Sequence, residues 1–540
     1  MRIAVIDEGR CEPKKCQNLC MKVCPRNKLG EECIKIDGDS CAVIDEQLCV
    51  GCGICANRCP FKAIKIVNTP EKIGSLIHRY GENKFALYNF PVPKKGNIIG
   101  LVGRNGIGKS TAVKVLAGEL KPNLDDLPTI IKVYLKGERT LSYKPQVLNP
   151  VDVDELDKSI IKELNITKKN NYSGGELQAL NIALCLSKEA DLYLLDEPSS
   201  YLDVISRMKI MNLLKSRLKD KEVIVVEHDL ALLDYIADEV YLLYGSPGIY
   251  GVVSTLYPSL RGINSYLNGY LPAENVRLRR EKITFGFGMQ ENMKIDKLIS
   301  FTNIEKKQGN FRLRVKKGEL YKKEILGVLG PNAIGKTTFM EILANKIEAD
   351  KGKVGKVSIA YKPQYLHPDS SDLVEDIIPK TGGFREQISY PFHLETLYKK
   401  RVDELSGGEL QTLAIALCLS KNADLYLLDE PSAFLDIEHR LQLVKVLQRI
   451  IENKGATAVI VDHDLHLLSQ ISNRILFFTG KPSRSGDAEI ISTYEALNNF
   501  LRNFNITFRR DPETGRFKAN KFGSQLDIEQ KKRKEFLSLD

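Results

Sequence analysis

The sequence predicts a multidomain chain of α/β and α+β architecture, with a small cysteine-bound head followed by two copies of one α/β domain. Three observations predict it. Ten of the twelve cysteines fall within the first 60 residues, eight of them in two four-membered runs. Residues 173–199 and 406–432 agree at 24 of 27 positions, at an offset of 233 residues, which is a domain length and not a solenoid period. Each copy also carries its own glycine-rich loop and its own strand ending in two acids. A chain of 540 residues needs several cores at roughly 100–200 residues per domain. With 43% hydrophobic and 27% charged residues, the composition excludes global disorder. Lys+Arg outnumber Asp+Glu by 79 to 69, a net charge of +10 that favours a polyanionic partner. No apolar run approaches the ~18–20 residues of a membrane span. The N-terminus MRIAVIDEGR has no long apolar region, so the chain reads as soluble, not exported and without a membrane partner.

In the head, Cys49, Cys52, Cys55 and Cys59 with Pro60 spell C-x2-C-x2-C-x3-C-P, the run that holds cubane iron-sulfur clusters in bacterial ferredoxins. Three close thiolates take three irons of one cubane, and the fourth Cys serves a second cluster. Cys11, Cys16, Cys20 and Cys24 with Pro25 form a looser second run. By the crossed logic of two-cluster proteins, Cys49, Cys52, Cys55 and Cys24 take one [4Fe-4S] cluster, and Cys11, Cys16, Cys20 and Cys59 the other. The alternative is zinc, which C-x2-C pairs also bind. Cys33 and Cys41 fit neither run and read as small buried hydrophobes, as do Cys185 and Cys418.

Each repeat opens with a phosphate loop after an apolar strand and before a helix. The first is GRNGIGKST, with Gly103, Asn105, Gly106, Gly108, Lys109, Ser110 and Thr111; the second is GPNAIGKTT, with Gly330, Asn332, Gly335, Lys336, Thr337 and Thr338. Backbone N–H groups and a helix N-terminus cradle phosphate oxygens in this context. Lys109 and Lys336 reach the β/γ-phosphates, while Ser110 and Thr337 ligate Mg2+. The strands LYLLDEP end in Asp196-Glu197 and Asp429-Glu430. The aspartate suits the Mg2+ shell and the glutamate the polarisation of an attacking water; capping of the next turn is the bland alternative. His228 and His463 follow a further strand in each copy, where an imidazole can reach the γ-phosphate. Ser173, Gly174 and Gly175, and likewise Ser406, Gly407 and Gly408, open a helix and make an anion-binding N-terminus.

SGGELQ, DEPS and a phosphate loop together resemble the ATP-binding-cassette superfamily. Two such cassettes behind a ferredoxin-like two-cluster domain resemble its ribosome-recycling subfamily, also called RNase L inhibitor or subfamily E. The resemblance spans essentially the whole chain, including CEPKKC, HRYGENKF, YLNGYLPAENVRLR and ITFRRDP. It implies cassettes facing head to tail, paired within one monomer, each ATP lying between one phosphate loop and the other signature. Site one then combines Lys109, Gln146, Glu197 and His228 with Ser406, Gly407 and Gly408. Site two combines Lys336, Gln364, Glu430 and His463 with Ser173, Gly174 and Gly175. Gln146 and Gln364 are implied sensors of Mg2+ and water, Asp203 and Asp436 couplers of the sites, and Phe85, Phe311 and Tyr80 candidates for adenine stacking. The implied domains are 1–67 (iron-sulfur), 68–258 (first cassette), 259–282 (hinge), 283–500 (second cassette) and 501–540 (second hinge and basic tail). The implied function is ATP hydrolysis that splits ribosomes in the cytoplasm after termination or rescue. It brings the small subunit, its rRNA and a release or rescue factor as partners, and the protein can remain on the small subunit.

Some residues depart from that pattern. Ala333 stands where Gly106 stands in the first copy, Tyr172 precedes the first signature in place of Leu, and Ala179 and Thr412 replace Arg. The segment from Lys109 to Gln146 is short, which bears on an insertion that touches the small subunit in that family. The spacer from glutamine to signature serine is 27 residues in the first copy and 42 in the second, so the sites are not equivalent. Three other functions compete. An electron-transfer protein gated by ATP would use the clusters, a transporter's energy module leaves eight thiolates unexplained, and a DNA-repair ATPase would carry long heptad-rich coiled coils. The tail segment KKRKEF reads as a nucleic-acid patch or as a solvated helix face.

Overall fold

The computed structural model of the chain describes residues 2–6, 10–36, 41–45, 48–68, 74–81, 84–122, 139–164, 166, 168, 172–288, 296–364, 371–380 and 382–539. The short insertion of the first cassette falls on residues 123–138, outside the described residues.

The head is closed on itself. Strand Arg2–Ile6 pairs antiparallel with Ile64–Asn68, and Ile34–Lys35 with Val43–Ile44. Between them run short helices at Pro13–Cys16, Leu19–Val23, Pro25–Lys28 and Ile54–Arg58. Its core holds Ala4, Ile6, Ile34, Ile44 and Ile64 among the buried cysteines, little apolar mass for a free-standing domain, as expected where metal supplies folding energy. Strand Ile64–Asn68 runs one residue past the boundary drawn at 67, and helix Thr493–Asn503 runs across the boundary drawn at 500. Hydrogen bonding, not composition, sets where these elements stop.

The two repeats fold alike. The first eight-stranded sheet runs Leu76–Arg79, Ala86–Tyr88, Tyr250–Pro258, Glu239–Ser246, Ile98–Val102, Glu222–Val226, Leu192–Asp196 and Leu141–Lys144; the second has the same order from Ile304–Gln308 to Ile359–Lys362. Strands Ile98–Val102, Glu222–Val226 and Leu192–Asp196 are parallel neighbours and almost wholly buried, which is why they read as continuous apolar runs. Their carboxyl ends lie side by side. The phosphate loop, the two acids and the histidine each follow one of these three strands, so sheet topology gathers motifs separated by up to about 120 residues at the strands' carboxyl ends, where α/β sheets bind ligands.

Two further groups of elements follow the cassettes. Helix Ser259–Asn268 leads to the strand pair Tyr270–Leu271 and Val276–Arg277, and Phe508–Arg510 pairs with both Phe517–Ala519 and Leu537–Ser538. Phe285 and Phe517 share one core with Ile263 and Phe500, so the segments that follow the two cassettes are packed together.

Candidate functional site

Each phosphate loop wraps its own lysine. Lys109 Nζ donates to Gly103 O (2.8 Å) and Arg104 O (2.9 Å), and Lys336 Nζ to Gly330 O (2.8 Å) and Pro331 O (2.7 Å). Both ammonium groups are buried, which lowers their pKa, to about 8 for Lys336. Gly106 has φ +70 and its counterpart Ala333 φ +55, so the second loop holds a side chain in the left-handed region at roughly 1 kcal/mol. A Cβ on Gly106 would lie 3.6 Å from Gly248 N and 3.7 Å from Pro247 Cβ, ordinary contacts. Gly106→Ala is therefore expected to cost only backbone strain, about 1 kcal/mol of first-cassette stability; denaturant unfolding of the pair Gly106→Ala and Ala333→Gly, with opposite signs, checks it.

The two acids are placed by strain and burial. Glu197 and Glu430 take φ +49 and +48 at the first step beyond their strands, a cost borne identically in both copies. Glu197 Oε1 accepts from Gln146 Nε2 (2.7 Å) and lies 3.1 Å from His228 Nε2, and its Oε2 accepts from Ser200 Oγ (2.9 Å). At the second site Gln364 Nε2 donates to Glu430 Oε1 (2.7 Å), with His463 Nε2 at 3.5 Å. Burial raises the pKa of these glutamates, but His228 with Ser200 and Lys109, and His463 with Lys336 and Gln364, together bring both down to about 2. Asp196 is 1% exposed and neither carboxylate oxygen has a hydrogen-bond partner; burial and then Glu197 push it up to about 6. Asp429 rises to about 7 from the same causes, and accepts from Thr337 Oγ1 (3.2 Å). A buried carboxylate without a donor fits a divalent cation. Ser110 opens the helix Lys109–Leu116 beside Asp196, as Thr337 does beside Asp429.

The signature serines cap their helices. Ser173 and Ser406 each close a capping box with Glu176 and Glu409 at the start of Gly174–Ser187 and Gly407–Ser420. The two cassettes meet at the loops after the acids. Asn105 N donates to Asp436 Oδ2 (2.8 Å), Asn105 Nδ2 to Phe434 O (3.1 Å), and Asn332 N to Asp203 Oδ2 (2.9 Å). A Cβ on Gly408 would come 3.4 Å from Asn105 Nδ2. The second signature thus sits against the first phosphate loop, and each coupling aspartate reaches the opposite loop. Phe85 packs on Gly108 and Phe311 on Gly335, where a Cβ would come within 2.6 and 2.9 Å of the ring; Tyr80 OH lies 3.3 Å from Thr111 Oγ1. All three aromatics border the phosphate loops.

In the head, the thiols that influence one another fall in two groups. Cys20 is raised to about 11, first by burial and then by Cys11, Cys16 and Cys59; Cys55, also at about 11, is raised by burial, Cys49, Cys52 and Cys24. Cys24, Cys49, Cys52 and Cys55 line one cavity. Gly51 and Gly53 take φ +62 and +80, the left-handed turns that let three thiols curl round a common centre. Gly51 N and Ala63 N donate to Cys49 Sγ and Cys59 Sγ, each at 3.4 Å. Among the described residues no three Cys, His or acidic groups close on the point a single ion requires, whereas a cubane binds each thiolate to a different iron.

Comparison with known proteins accords with this arrangement. An "ABC transporter" family model matches residues 89–147 and 313–433, a "Possible Fer4-like domain in RNase L inhibitor, RLI" matches 1–32, and a "4Fe-4S binding domain" matches 42–65. An uncharacterised ABC transporter ATP-binding protein of Methanocaldococcus jannaschii is 43% identical over 100% of this chain and 98% of its own length. Translation initiation factor RLI1 of Saccharomyces cerevisiae is 40% identical, again over 100% of this chain and 98% of its own. The chain belongs to the RLI1/ABCE1 family. A solved structure titled as a model of ribosome-bound archaeal Pelota and ABCE1 superposes with a TM-score of 0.92 at 40% identity, covering 99% of both chains. As an RLI1/ABCE1 protein it is an ATPase with two [4Fe-4S] clusters, Mg2+ and ATP. Protein purified without oxygen is expected to carry about eight irons with broad brown absorbance; zinc in their place would contradict the cluster sets.

The structure also places at these sites residues that the sequence reading did not single out. Lys144 Nζ donates to Asp196 O (2.8 Å), and Lys362 Nζ to Asp429 O (2.7 Å), each buried and lowered to about 8 by burial. Gln178 Nε2 and Gln411 Nε2 donate to Glu197 O (2.8 Å) and Glu430 O (2.6 Å). Their signal lay in KPQ and SGGELQ recurring in both copies. Cys33, read as a plain buried hydrophobe, is buried but also lines the cluster cavity beside Cys24 and Cys49. Arg279 pairs with Glu438 (2.6 Å) over the Tyr266 ring, and Arg510 Nη2 donates to Phe285 O (2.8 Å), so these arginines hold the hinges together.

Proposed function

We propose that this chain recycles ribosomes in the cytoplasm: ATP closes the paired cassettes, the iron-sulfur domain acts as a lever between the subunits, and hydrolysis resets the machine. The supporting observation is the reciprocal reach of Asp203 and Asp436 to the opposite phosphate loops, which makes closure of one site felt at the other, in a chain that also carries a two-cluster head. Relatives named for translation, and neighbours described as ribosome-bound or as an archaeal ribosome recycling factor, favour the same reading. Among the described residues no helix is long and apolar enough to cross a membrane.

We assign the chemistry as follows. Lys109 and Lys336 release their loop carbonyls to take phosphate oxygens, and Ser110 with Asp196, or Thr337 with Asp429, would hold the Mg2+ that neutralises the phosphates. Gln146 and Gln364 link the metal side to the water side through their bonds to Glu197 and Glu430. A carboxylate held near 2 is a weak base, so each glutamate orients and polarises the water and does not keep its proton. Burial and then Lys109 lower the His228 pKa, which favours a neutral imidazole; its single N–H, on the Nε2 that faces Glu197 Oε1 at 3.1 Å, would turn from the glutamate to the γ-phosphate when ATP binds. Ser406 to Gly408, and Ser173 to Gly175, bind the opposite side of each nucleotide, and Phe85, Phe311 and Tyr80 stack against adenine.

Sedimentation of ribosomes with the protein, Mg-ATP and a release or rescue factor tests the proposal. Subunits should accumulate only when all components are present, and unchanged ribosomes would overturn it. Binding to the small subunit should weaken steeply between about 50 and 200 mM salt, as rRNA phosphate contacts require. Arg277→Glu with Arg509→Glu should lower that affinity, whereas Arg510→Glu should uncouple the hinges with little loss of affinity.

A further inference from the structure

Ser406 follows Gln364 by 42 positions in the second cassette, where Ser173 follows Gln146 by 27 in the first. Within this longer spacer, residues 371–380 and 382–405 pack together. Phe392, Leu394, Leu397 and Val402 are buried in the second-cassette core, Ser389 Oγ lies 2.7 Å from Tyr398 OH, and Val374 N and Glu375 N donate to Lys400 O and Tyr398 O, both at 3.0 Å. The outer edge of this unit meets the iron-sulfur head. Lys399 Nζ pairs with Glu12, the residue after Cys11, and lies 5.5 Å from the centre of the Phe61 ring. Glu12 also pairs with Lys15 (2.6 Å), whose charge is favoured by Glu12 and, across the junction, by Glu375. The two faces are therefore complementary: an acid and a base on the head oppose a base and an acid on the spacer.

The next residue turns inward. Lys400 Nζ donates to Glu409 Oε1 (2.8 Å), and Glu409 Oε2 accepts from Ser406 N (2.9 Å) and Ser406 Oγ (3.0 Å). One dipeptide thus holds the head with its first side chain and the signature's capping carboxylate with its second.

We propose that the longer spacer of the second cassette is the seat of the iron-sulfur domain, and that Lys399 and Lys400 tie the docked position of that domain to the signature motif of site one. A γ-phosphate drawing on Ser406 competes with Glu409 for its hydroxyl. The freed carboxylate changes its hold on Lys400, and the shift of that turn loosens Lys399 from Glu12. Occupancy of site one, and not of site two, then releases the head. The inference rests on the reading of the chain as an ATPase whose head moves.

The test uses full-length, cluster-loaded protein with a donor and an acceptor dye introduced through unnatural amino acids at the exposed positions Lys65 and Lys445. Lys399→Ala and Glu12→Ala should each raise the undocked fraction of nucleotide-free protein roughly threefold, the scale of a half-exposed ion pair, and the double variant should do no more than the larger single. Lys399→Glu, which leaves the neighbourhood of Cys11 untouched, should do the same at unchanged iron content. Lys400→Gln should keep the head docked without nucleotide but cut its release by Mg-ATP at least about threefold. Unchanged docking in the Lys399 variants overturns the seat, and normal ATP-driven release in Lys400→Gln overturns the link to the signature. Phosphate release from the same samples separates these outcomes: absence of ATP hydrolysis in the unmodified protein would instead remove the reading on which the inference rests.

Discussion

Replacing Glu197 and Glu430 together by glutamine is expected to lower ATP turnover by about 10²–10⁴, the usual worth of a group that polarises the nucleophile, while ATP still binds. The exchange keeps size and one oxygen. Gln146 and Gln364 can still donate to Oε1, as they do to each glutamate at 2.7 Å, so the turn at positive φ and the coupling loops behind it stay in place. The buried lysines, Ser110, Thr337 and the signature serines are untouched. ATP should therefore accumulate in a closed, unhydrolysed form, measured as retained nucleotide against phosphate release. The single variants should differ, because site two carries Ala333 at φ +55 where site one carries glycine, and because His463 stands farther from its glutamate than His228 does. Phosphate release at the unmodified rate in the double variant would place the water-polarising group elsewhere.

Removing residues 1–68 is expected to reduce ribosome splitting to the level seen without the protein, with ATP hydrolysis retained. Among the described residues, strand Arg2–Ile6 pairs with Ile64–Asn68 alone, so the deletion takes that two-stranded sheet out whole. The buried clusters of both cassettes contain, among the described residues, none from the head. Every group assigned to the two ATP sites lies beyond residue 79. Hydrolysis and splitting measured on the same preparation separate engine from lever. Splitting by the truncated protein at the rate of the full chain would refute the mechanical role of the iron-sulfur domain.

What could be read from the sequence alone was chemistry that needs neighbours along the chain. Gly103 to Thr111 is contiguous because a phosphate is held by successive backbone N–H groups, and Cys49 to Cys59 is closely spaced because one short loop must supply three thiols to one cubane. The repeat supplied the rest, since a buried parallel strand reads the same in both copies. The family resemblance implied Asp203 and Asp436 as couplers, but their partners Asn332 and Asn105 lie 129 and 331 residues away, and no local period marks such a pair. Arg279 and Arg510 lie in YLNGYLPAENVRLR and ITFRRDP, and the fold alone brings them to Glu438 and to Phe285 O, because a guanidinium's role depends on which carbonyl or carboxylate the fold brings to it. The 42-residue spacer was visible as a length, and its meaning came only from the placing of Lys399 beside Glu12. Local motifs are written in the chain because their atoms are neighbours in it; contacts between cassettes, hinges and head arise from packing, which the order of residues specifies only through the completed fold.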